Sequence, residues 1–447
     1  MTIITEQHAK KLLSKVLTFS KADECECNLE SKVGGNIRYA RNTVSTSGQE
    51  SDLILIVQST FGKRTGTATI NEFDDASLEK VVRRSEELAK LAPENEEFMP
   101  VFGKQKYAKA NTYFESTADV TPEDRAQAAF DSIEPSKKNK LIAAGFLEDA
   151  VEMSAIMNSK GLFAYNTATQ VDFSVTIRTE DGKGSGWASG DYSDVKLLDT
   201  AKLSSIAIQK SKGSADAKEM EPGKYTVILE PAASVGLIQN MMRAFDQRSA
   251  DEGRSFLSNK VAKGSKGENA PKNKLGQKMF DERVHIHSDP QHAIAPSAPF
   301  AGNGYPLNKI DWIKDGTIKN MPNSPYWAKH TKSDYIPANR NFIMDGGDQS
   351  LEDMLKNTRR GVLVTRLWYI RGLDPQTLLY TGLTRDGTFY IENGKIKYPI
   401  KNFRFNESPI IMLNNIEALG EPQRIEGCMI PPMKIRDFTF SSLSDAV

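Results

Sequence analysis

Histidine is scarce in this 447-residue chain, and its five positions limit the metal chemistry that the sequence can support. The histidines are His8, His285, His287, His292 and His330. A zinc peptidase usually places two histidines on one helical face, with a glutamate beside them that takes a proton from metal-bound water. Neither His-Glu-x-x-His nor His-Glu-x-x-x-His occurs, so no helix of that type is predicted.

The best candidate for a metal cluster is the segment Val284–Asp289. His285 and His287 alternate there, so in a strand both side chains lie on one face. His292 or Asp289 could supply a third ligand, which is one interpretation. The other is a half-buried strand whose polar face carries two histidines and no metal. The spacing alone leaves both interpretations open.

The three cysteines favour neither nucleophilic catalysis nor a disulfide framework. Cys428 has no histidine near it in sequence that could activate it, and no Gly-x-Ser-x-Gly occurs. Cys25 and Cys27 alternate, but one Cys-x-Cys pair without a second pair is a weak metal motif. We predict buried structural thiols in a reducing compartment.

The segment Leu363–Arg371 is rich in groups that bind extended peptides. As one continuous strand, it would place Arg366, Trp368 and Ile370 on one face and Thr365, Leu367, Tyr369 and Arg371 on the other. Arginine and aromatic side chains contact peptides through carboxylate pairing and apolar surface. The alternative is an interior strand whose arginines form salt bridges. The predicted peptide or partner groove consists of Arg243, Arg366, Trp368, Tyr369 and Arg371.

The elements around these residues predict an α+β fold of two domains, built on mainly antiparallel sheets with packed helices. Helical periodicity covers residues 9–17, 78–92, 200–209, 232–245 and 409–419, and a helix begins near Thr121. Leu141–Asn158 and Leu162–Ile177 form a predicted long hairpin. Shorter strands are predicted at residues 37–39, 53–57, 225–229, 284–287, 361–368, 388–391 and 397–400, with turns at Gly34-Gly35 and Gly62.

A polar segment at residues 211–223 indicates the division between an N-terminal α+β domain, 1–215, and a strand-rich C-terminal domain, 216–447. Residues 261–274 are rich in lysine, glycine and asparagine without an apolar period, so a flexible loop is predicted there.

Composition narrows the possible partners. The 58 basic and 58 acidic residues cancel, so nucleic-acid binding is not favoured. No stretch approaches the ~20 apolar residues of a membrane span, and the first residues carry no signal-peptide pattern. We therefore predict a cytoplasmic protein without a membrane or nucleic-acid partner.

Several strings resemble the TldD/PmbA metallopeptidase family, whose members were once described as modulators of DNA gyrase. The specific ones lie in the second half: YTVILEPAASVGLI, VHIHSDP, RGVLVTRLWYIRGLDPQTLLYTGLTRDG and FYIENGKIKYPIKNFRFNESP. CECNLES and GKRTGTATINEFDDASLEKVV in the first half are similar more loosely. The likeness spans nearly the whole chain, and it implies a dimer.

The resemblance implies that the TldD branch is a zinc peptidase for unfolded or extended peptides, with His-Glu-x-x-x-His on the helix after the first C-terminal strand and a cysteine ligand downstream. Here the first histidine falls on Gln239, the glutamate on Asn240 and the second histidine on Ala244. No metal ligand or general base is thus carried over, and no ligand role is transferred to Cys428.

The chain therefore looks like a metal-free TldE/PmbA-type subunit, which pairs with a TldD-like zinc subunit or forms a homodimer and encloses an extended peptide. It would contain no cofactor of its own, the zinc being in the partner. Two alternatives are a stand-alone metallopeptidase using His285 and His287, and a non-proteolytic protein that binds gyrase or its inhibitors.

Overall fold

A computed structural model of the chain describes residues 3–259, 272–339 and 341–444. The described residues form ten α-helices and 21 strands in three sheets, and nearly all strand pairs are antiparallel. The predicted α+β class is confirmed. Most of the predicted loop 261–274 lies outside the described residues; within it, Asn273 forms an isolated bridge with Ser258.

The helices and the strands of the first sheet have the following bounds. The helices are α1 Glu6–Phe19, α2 Asp75–Leu91, α3 Glu115–Ala118, α4 Pro122–Lys138, α5 Thr200–Gly213, α6 Pro231–Arg243, α7 Gln247–Asp251, α8 Pro325–Thr331, α9 Leu351–Lys356 and α10 Pro409–Asn414. The first sheet contains β1 Glu24–Ala40, β2 Thr43–Phe61, β3 Arg64–Ile70, β4 Leu141–Asn158, β5 Phe163–Thr179 and β6 Ser185–Tyr192.

The remaining strands build two further sheets. They are β7 Gly223–Leu229, β8 Ile286–Ser288, β9 Ile310–Lys314, β10 Thr317–Ile318, β11 Ile343–Met344, β12 Arg360–Val364, β13 Leu367–Asp374, β14 Leu379–Thr384, β15 Thr388–Glu392, β16 Lys395–Pro399, β17 Phe403–Glu407, β18 Ile416–Leu419, β19 Gln423–Ile425, β20 Cys428–Ile430 and β21 Met433–Leu443.

The first sheet is antiparallel, in the order β3-β2-β1-β4-β5-β6. One face is covered by helices because its alternate residues are apolar: Cys25, Cys27 and Leu29 pack under α1 and α2, and Tyr39 packs under α4. The opposite face carries polar residues such as Glu30. Cys25 and Cys27 are buried free thiols, as predicted.

Strands β1 and β2 are much longer than predicted, and the predicted turn at Gly34-Gly35 is wrong. Both glycines lie inside β1 because neighbouring groups approach the backbone closely there. A Cβ on Gly34 would overlap the Asp149 carbonyl oxygen, and one on Gly35 would overlap the Arg125 guanidinium. Residues 43–54 of β2 pair only with β1; within the described chain no strand lies on their outer side.

The second half combines a nine-stranded sheet, β13-β14-β17-β21-β7-β12-β15-β16 with β18 paired to β21, and a six-stranded sheet, β10-β9-β8-β11-β20-β19. A large apolar core joins the two sheets and α6, and it includes Leu237, Met241, Trp312 and Ile286. The strand and helix predicted at 225–229 and 232–245 are confirmed with small shifts, as β7 and α6. The domain division at 215/216 stays a prediction.

Two predicted elements of this half are wrong. The helix predicted over 409–419 ends at Asn414, because residues 416–419 form β18 and pair with β21. The single strand predicted over 361–368 is interrupted after Val364, and Leu367 begins a new strand that pairs with β14 rather than β15. No helix among the described residues is long and apolar enough to cross a membrane.

Candidate functional site

Helix α6 presents the residues that the sequence comparison singled out. Pro231 occupies its first turn, which suits proline because the amide groups there have no helical partner. The apolar side chains of α6 face the core between the two sheets, and Gln239 is 91% buried among them. Asn240 is half-buried, and Ala244 is the residue that caps the end of the helix.

Cys428 lies directly beside Gln239, a juxtaposition that sequence reasoning missed. The Gln239 amide Nε2 donates to the Glu426 carbonyl at 3.3 Å and contacts the Cys428 Sγ at 3.6 Å. Cys428 is buried, and burial raises the pKa of its thiol. The cysteine reaches α6 because β20 pairs with β11 and β19 in the sheet that packs on this helix.

Arg243 ties the polar residues of α6 together. Its Nη2 donates to Gln239 Oε1 and its Nη1 donates to Asn240 Oδ1, each at 3.2 Å. Two side-chain amides therefore share one guanidinium, and a positive charge lies on the solvent side of Gln239.

Glu426 is a second candidate residue that the sequence analysis did not select. It lies with Gly427 in the tight turn between β19 and β20, and both have left-handed backbones, with φ of 49° and 72°. Non-glycine residues rarely adopt this conformation, and when they do the site is often functional. Burial raises the pKa of Glu426, while the positive charges of Arg366 and Arg243 partly oppose this shift.

A residue of the first sheet holds this turn in place. The Asp191 carboxylate, near the end of β6, accepts from the Gly427 backbone N–H at 2.8 Å and from Arg424 Nε at 3.0 Å. Both charged side chains are largely buried. The position of Glu426 therefore depends on a contact between the two halves of the chain.

Two cavities meet at Glu426. One, of about 580 Å³, lies against α6 and is lined by Gln239, Arg243, Trp312 and other residues. The other is a groove of about 980 Å³ over the polar face of the first sheet. Its acidic lining residues are Glu30, Asp52, Glu152, Asp172, Asp191 and Glu426, against the two basic residues Lys32 and Arg424.

The predicted groove residues do not form one surface. Arg366 forms a salt bridge with buried Asp386, Nη1 to Oδ2 at 2.7 Å, and its guanidinium lies 4.0 Å from the Trp187 ring centroid. Trp368 and Tyr369 are instead exposed side by side.

The predicted alternation along this segment is wrong for Trp368 and Tyr369, which lie side by side, and correct for Tyr369 and Arg371. The strand breaks after Val364, and a bulge between Trp368 and Arg371, with Tyr369 at φ 55°, turns neighbouring side chains to the same side. Arg371 covers the Tyr369 ring at 4.3 Å. The structure thus brings Trp368, Tyr369 and Arg371 together and places Arg366 in a separate ion pair.

The two strand histidines lie on one side, as predicted, with ring centroids 5.5 Å apart. The third group beside them is Asp345, which comes after β11, and the predicted third ligands are wrong. The His292 Nδ1 accepts backbone N–H groups from Ile294 and Ala295, and Asp289 accepts the Gln291 N–H.

Family models account for most of the chain. The PmbA/TldA metallopeptidase domain 1 matches residues 25–89, the central domain matches 115–214 and the C-terminal domain matches 222–442. The chain belongs to the PmbA/TldD metallopeptidase family. The resemblance read from its sequence is thereby confirmed.

Curated relatives of this PmbA/TldD member are distant in sequence. Metalloprotease PmbA of Escherichia coli O157:H7 is 27% identical over 36% of this chain and 37% of its own length. A PmbA homologue of Buchnera aphidicola is 22% identical over 62% of this chain and 59% of its own. A metalloprotease of Methanothermobacter thermautotrophicus is 21% identical over 62% of each chain. The aligned part is thus less than two thirds of each relative.

Solved structures share the fold over nearly the full length. TldE from Thermococcus kodakarensis superposes with a TM-score of 0.85 at 18% identity, covering 97% of this chain and 99% of that one. A candidate modulator of DNA gyrase from Bacteroides thetaiotaomicron gives 0.84 at 19% identity, covering 99% and 100%. At these identities the likeness establishes the architecture of this PmbA/TldD protein.

Proposed function

We propose that this chain is the subunit of a TldD/TldE-type peptidase that holds no catalytic metal on α6 and helps a zinc-bearing TldD-type partner to enclose an extended peptide. The observation that carries the proposal is the hydrogen bonding of Arg243 to both Gln239 and Asn240. Two of the three side chains at the positions of the TldD motif, Gln239 and Asn240, are here linked by one positive charge.

The donor set on α6 does not fit a hydrolytic zinc ion. Amide oxygens are poor zinc ligands beside imidazole or thiolate, and Ala244 has no donor atom. Asn240 has no group that can take a proton from water at neutral pH. Cys428 alone could ligate, but burial raises the pKa of its thiol, and its neighbour is the Gln239 amide.

Peptide binding is supported by the groove over the first sheet. Its volume is within the range of ligand sites, and six carboxylates line it. Because the groove meets the α6 cavity at Glu426, a peptide lying in it would approach α6. An extended chain can also add to a sheet through backbone hydrogen bonds.

The test compares the chain alone with the chain in its complex. One sample is the chain alone, expressed in a foreign host. The other is the complex of the chain with a TldD-type partner, purified from the cells in which the chain naturally occurs. Both samples are given a fluorescently labelled unfolded casein. The chain alone should cleave nothing, whereas the complex should cleave and lose activity with a chelator. Equal cleavage by the isolated chain would refute the proposal.

A gain-of-function variant sharpens the test. Gln239→His, Asn240→Glu and Ala244→His together restore the family motif next to Cys428, and Arg243→Ala removes the opposing charge. The fourfold variant should bind zinc at α6, and adding back Arg243 should weaken that binding. The matched control is Arg243→Ala alone, which should bind no zinc at α6. Zinc held there by the unaltered chain would overturn the proposal.

The stand-alone peptidase is a distinct outcome of the same assay. It predicts cleavage by the isolated chain that is lost in the variant His285→Ala/His287→Ala. A DNA-binding role predicts affinity for duplex DNA that falls steeply with salt.

The cytoplasmic location remains a prediction, which fractionation of cells would test. The choice between a homodimer and a heterodimer also remains a prediction, which native mass spectrometry of cell extracts would decide.

A further inference from the structure

We propose that His285, His287 and Asp345 form a binding site for a divalent transition metal, separate from α6 and independent of the peptidase role. Backbone pairing fixes the three residues. Ile343 and Met344 of β11 pair with His287 and Ile286 of β8, and the Asp345 N–H donates to the His285 carbonyl at 3.0 Å. His287 therefore lies in β8, while His285 and Asp345 are the residues directly next to the two paired strands.

Each oxygen of the Asp345 carboxylate faces one imidazole. His285 Nδ1 lies 2.9 Å from Asp345 Oδ2, and His287 Nδ1 lies 3.6 Å from Oδ1. One ligand atom from each residue falls within 4.8 Å of the other two. Ligand atoms bonded at about 2.0–2.2 Å to one tetrahedral ion lie roughly 3.3–3.6 Å apart, so the three side chains would close by up to about 1.5 Å when an ion binds.

His285 lies between two carboxylates. Its Nε2 faces the Asp311 carboxylate at 3.2 Å while its Nδ1 faces Asp345 at 2.9 Å. An imidazolium donates to both carboxylates, whereas a neutral imidazole has only one N–H. A metal on Nδ1 would take the place of the proton there and leave Nε2–H to Asp311, the carboxylate–histidine–metal arrangement common around bound ions.

The Nδ1 atom of His287 is buried and has no hydrogen-bond partner among the described residues. The side chain is 92% buried, and no described residue lies within hydrogen-bond distance of its Nδ1. Its Nδ1 lies 3.6 Å from the Asp345 carboxylate, so the unpartnered nitrogen is positioned to ligate an ion held by that carboxylate.

The donor set selects the class of ion. Two imidazoles and one carboxylate suit Zn²⁺, Co²⁺, Ni²⁺ or Cu²⁺, whereas Mg²⁺ and Ca²⁺ prefer oxygen ligands. The Asp345 side chain is half exposed, so an ion can reach the site from solvent and retain water. A bound ion would join β8 to β11, in the sheet that also carries Cys428.

The test titrates chelator-treated full-length protein with Zn²⁺ by calorimetry and with Co²⁺ by visible absorption. We expect one Zn²⁺ per chain and a Co²⁺ spectrum typical of nitrogen and oxygen ligands. His285→Ala/His287→Ala and Asp345→Asn should each weaken binding at least tenfold. Asp311→Asn should weaken it about tenfold, as for other outer carboxylates.

The matched control is His8→Ala/His330→Ala, which removes two histidines elsewhere and should bind as the unaltered chain does. Circular dichroism establishes that each variant is folded, and Asp345→Asn is exposed enough to leave the core intact. Failure of the unaltered chain to bind Zn²⁺, or equal binding by the double-alanine variant, would overturn the inference. Binding that is lost instead in Gln239→Ala/Cys428→Ser would place the ion at α6 and refute the proposed function as well.

Discussion

Replacing Asp191 with alanine should destabilise the chain strongly and release the turn that carries Glu426. Asp191 is the acceptor for both the Gly427 N–H and Arg424 Nε, and it joins the first sheet to the β19–β20 hairpin. Without the carboxylate, Arg424 keeps its hydrogen bond to the Ile294 carbonyl but loses its charge partner.

The magnitude follows from the burial of the pair. Arg424 and Asp191 side chains are 7% and 11% exposed, so alanine leaves a buried guanidinium uncompensated, at a cost of about 3–5 kcal/mol. Asp191→Asn keeps an acceptor oxygen for both donors but removes the negative charge beside Arg424. Each of the two hydrogen bonds is weakened by roughly 1 kcal/mol, so the asparagine variant should lose at least about 2 kcal/mol and less than the alanine variant.

Urea unfolding measures both values, and hydrogen exchange at the Gly427 amide reports the turn directly. Asp75→Ala is the matched control because Asp75 pairs with Lys15 at the exposed surface, and it should cost at most about 1 kcal/mol. Adding Arg424→Met to Asp191→Ala should recover part of the lost stability, since the unpaired charge is removed. If Asp191→Ala unfolds at the same urea concentration as Asp75→Ala, with Gly427 still protected, the reasoning is wrong.

Three further variants test other parts of the structure. Burial raises the pKa of Asp172, so ionisation disfavours the folded state; Asp172→Asn should be more stable than the unaltered chain at pH 8, and the difference should vanish below about pH 4. Arg125→Ala should lose about 3–5 kcal/mol of unfolding free energy, because Asp149 is left buried without its 2.6 Å partner. Gly34→Ala should cost about 1–3 kcal/mol in thermal or urea unfolding, since the added methyl overlaps the Asp149 carbonyl oxygen.

For two of these variants a specific result would contradict the reasoning. A constant stability difference for Asp172→Asn between pH 8 and pH 3.5 would contradict the pKa argument. For Gly34→Ala the control is Gly48→Ala, where the nearest atoms lie 3.8 Å from the added carbon. Equal losses in the two glycine variants would show that backbone propensity, rather than overlap, determines the cost.

Local patterns in the sequence predicted the regular elements well. The long hairpin at 141–177 is correct because alternation and its turn residues agree, and the helix predicted at 78–92 is confirmed as α2, with Asp74 as its N-cap. Errors arose where distant contacts override local preference. Gly34 and Gly35 lie inside a strand because Asp149 and Arg125 approach them, and residues 416–419 pair with β21 instead of extending a helix.

In the candidate sites too, local patterns predicted some features and distant contacts determine the others. The shared face of His285 and His287 follows from period-two spacing, but Asp345 joins them through pairing between strands almost 60 residues apart. Cys428 meets Gln239 only because a sheet packs on α6. Such contacts have no local signature, although a glutamate before glycine in a tight hairpin turn could have drawn attention to Glu426.

The outer side of β2 at residues 43–54 has a consequence for how the protein behaves at high concentration. A bare strand edge offers its amide and carbonyl groups to any passing chain and is a template for aggregation. Most residues of this edge are polar, Glu50 and Asp52 among them, and the apolar ones are Val44, Leu53 and Ile54. Two copies meeting edge to edge would bring carboxylates together, so mutual repulsion favours solubility over filament growth, and concentrated salt would weaken that protection.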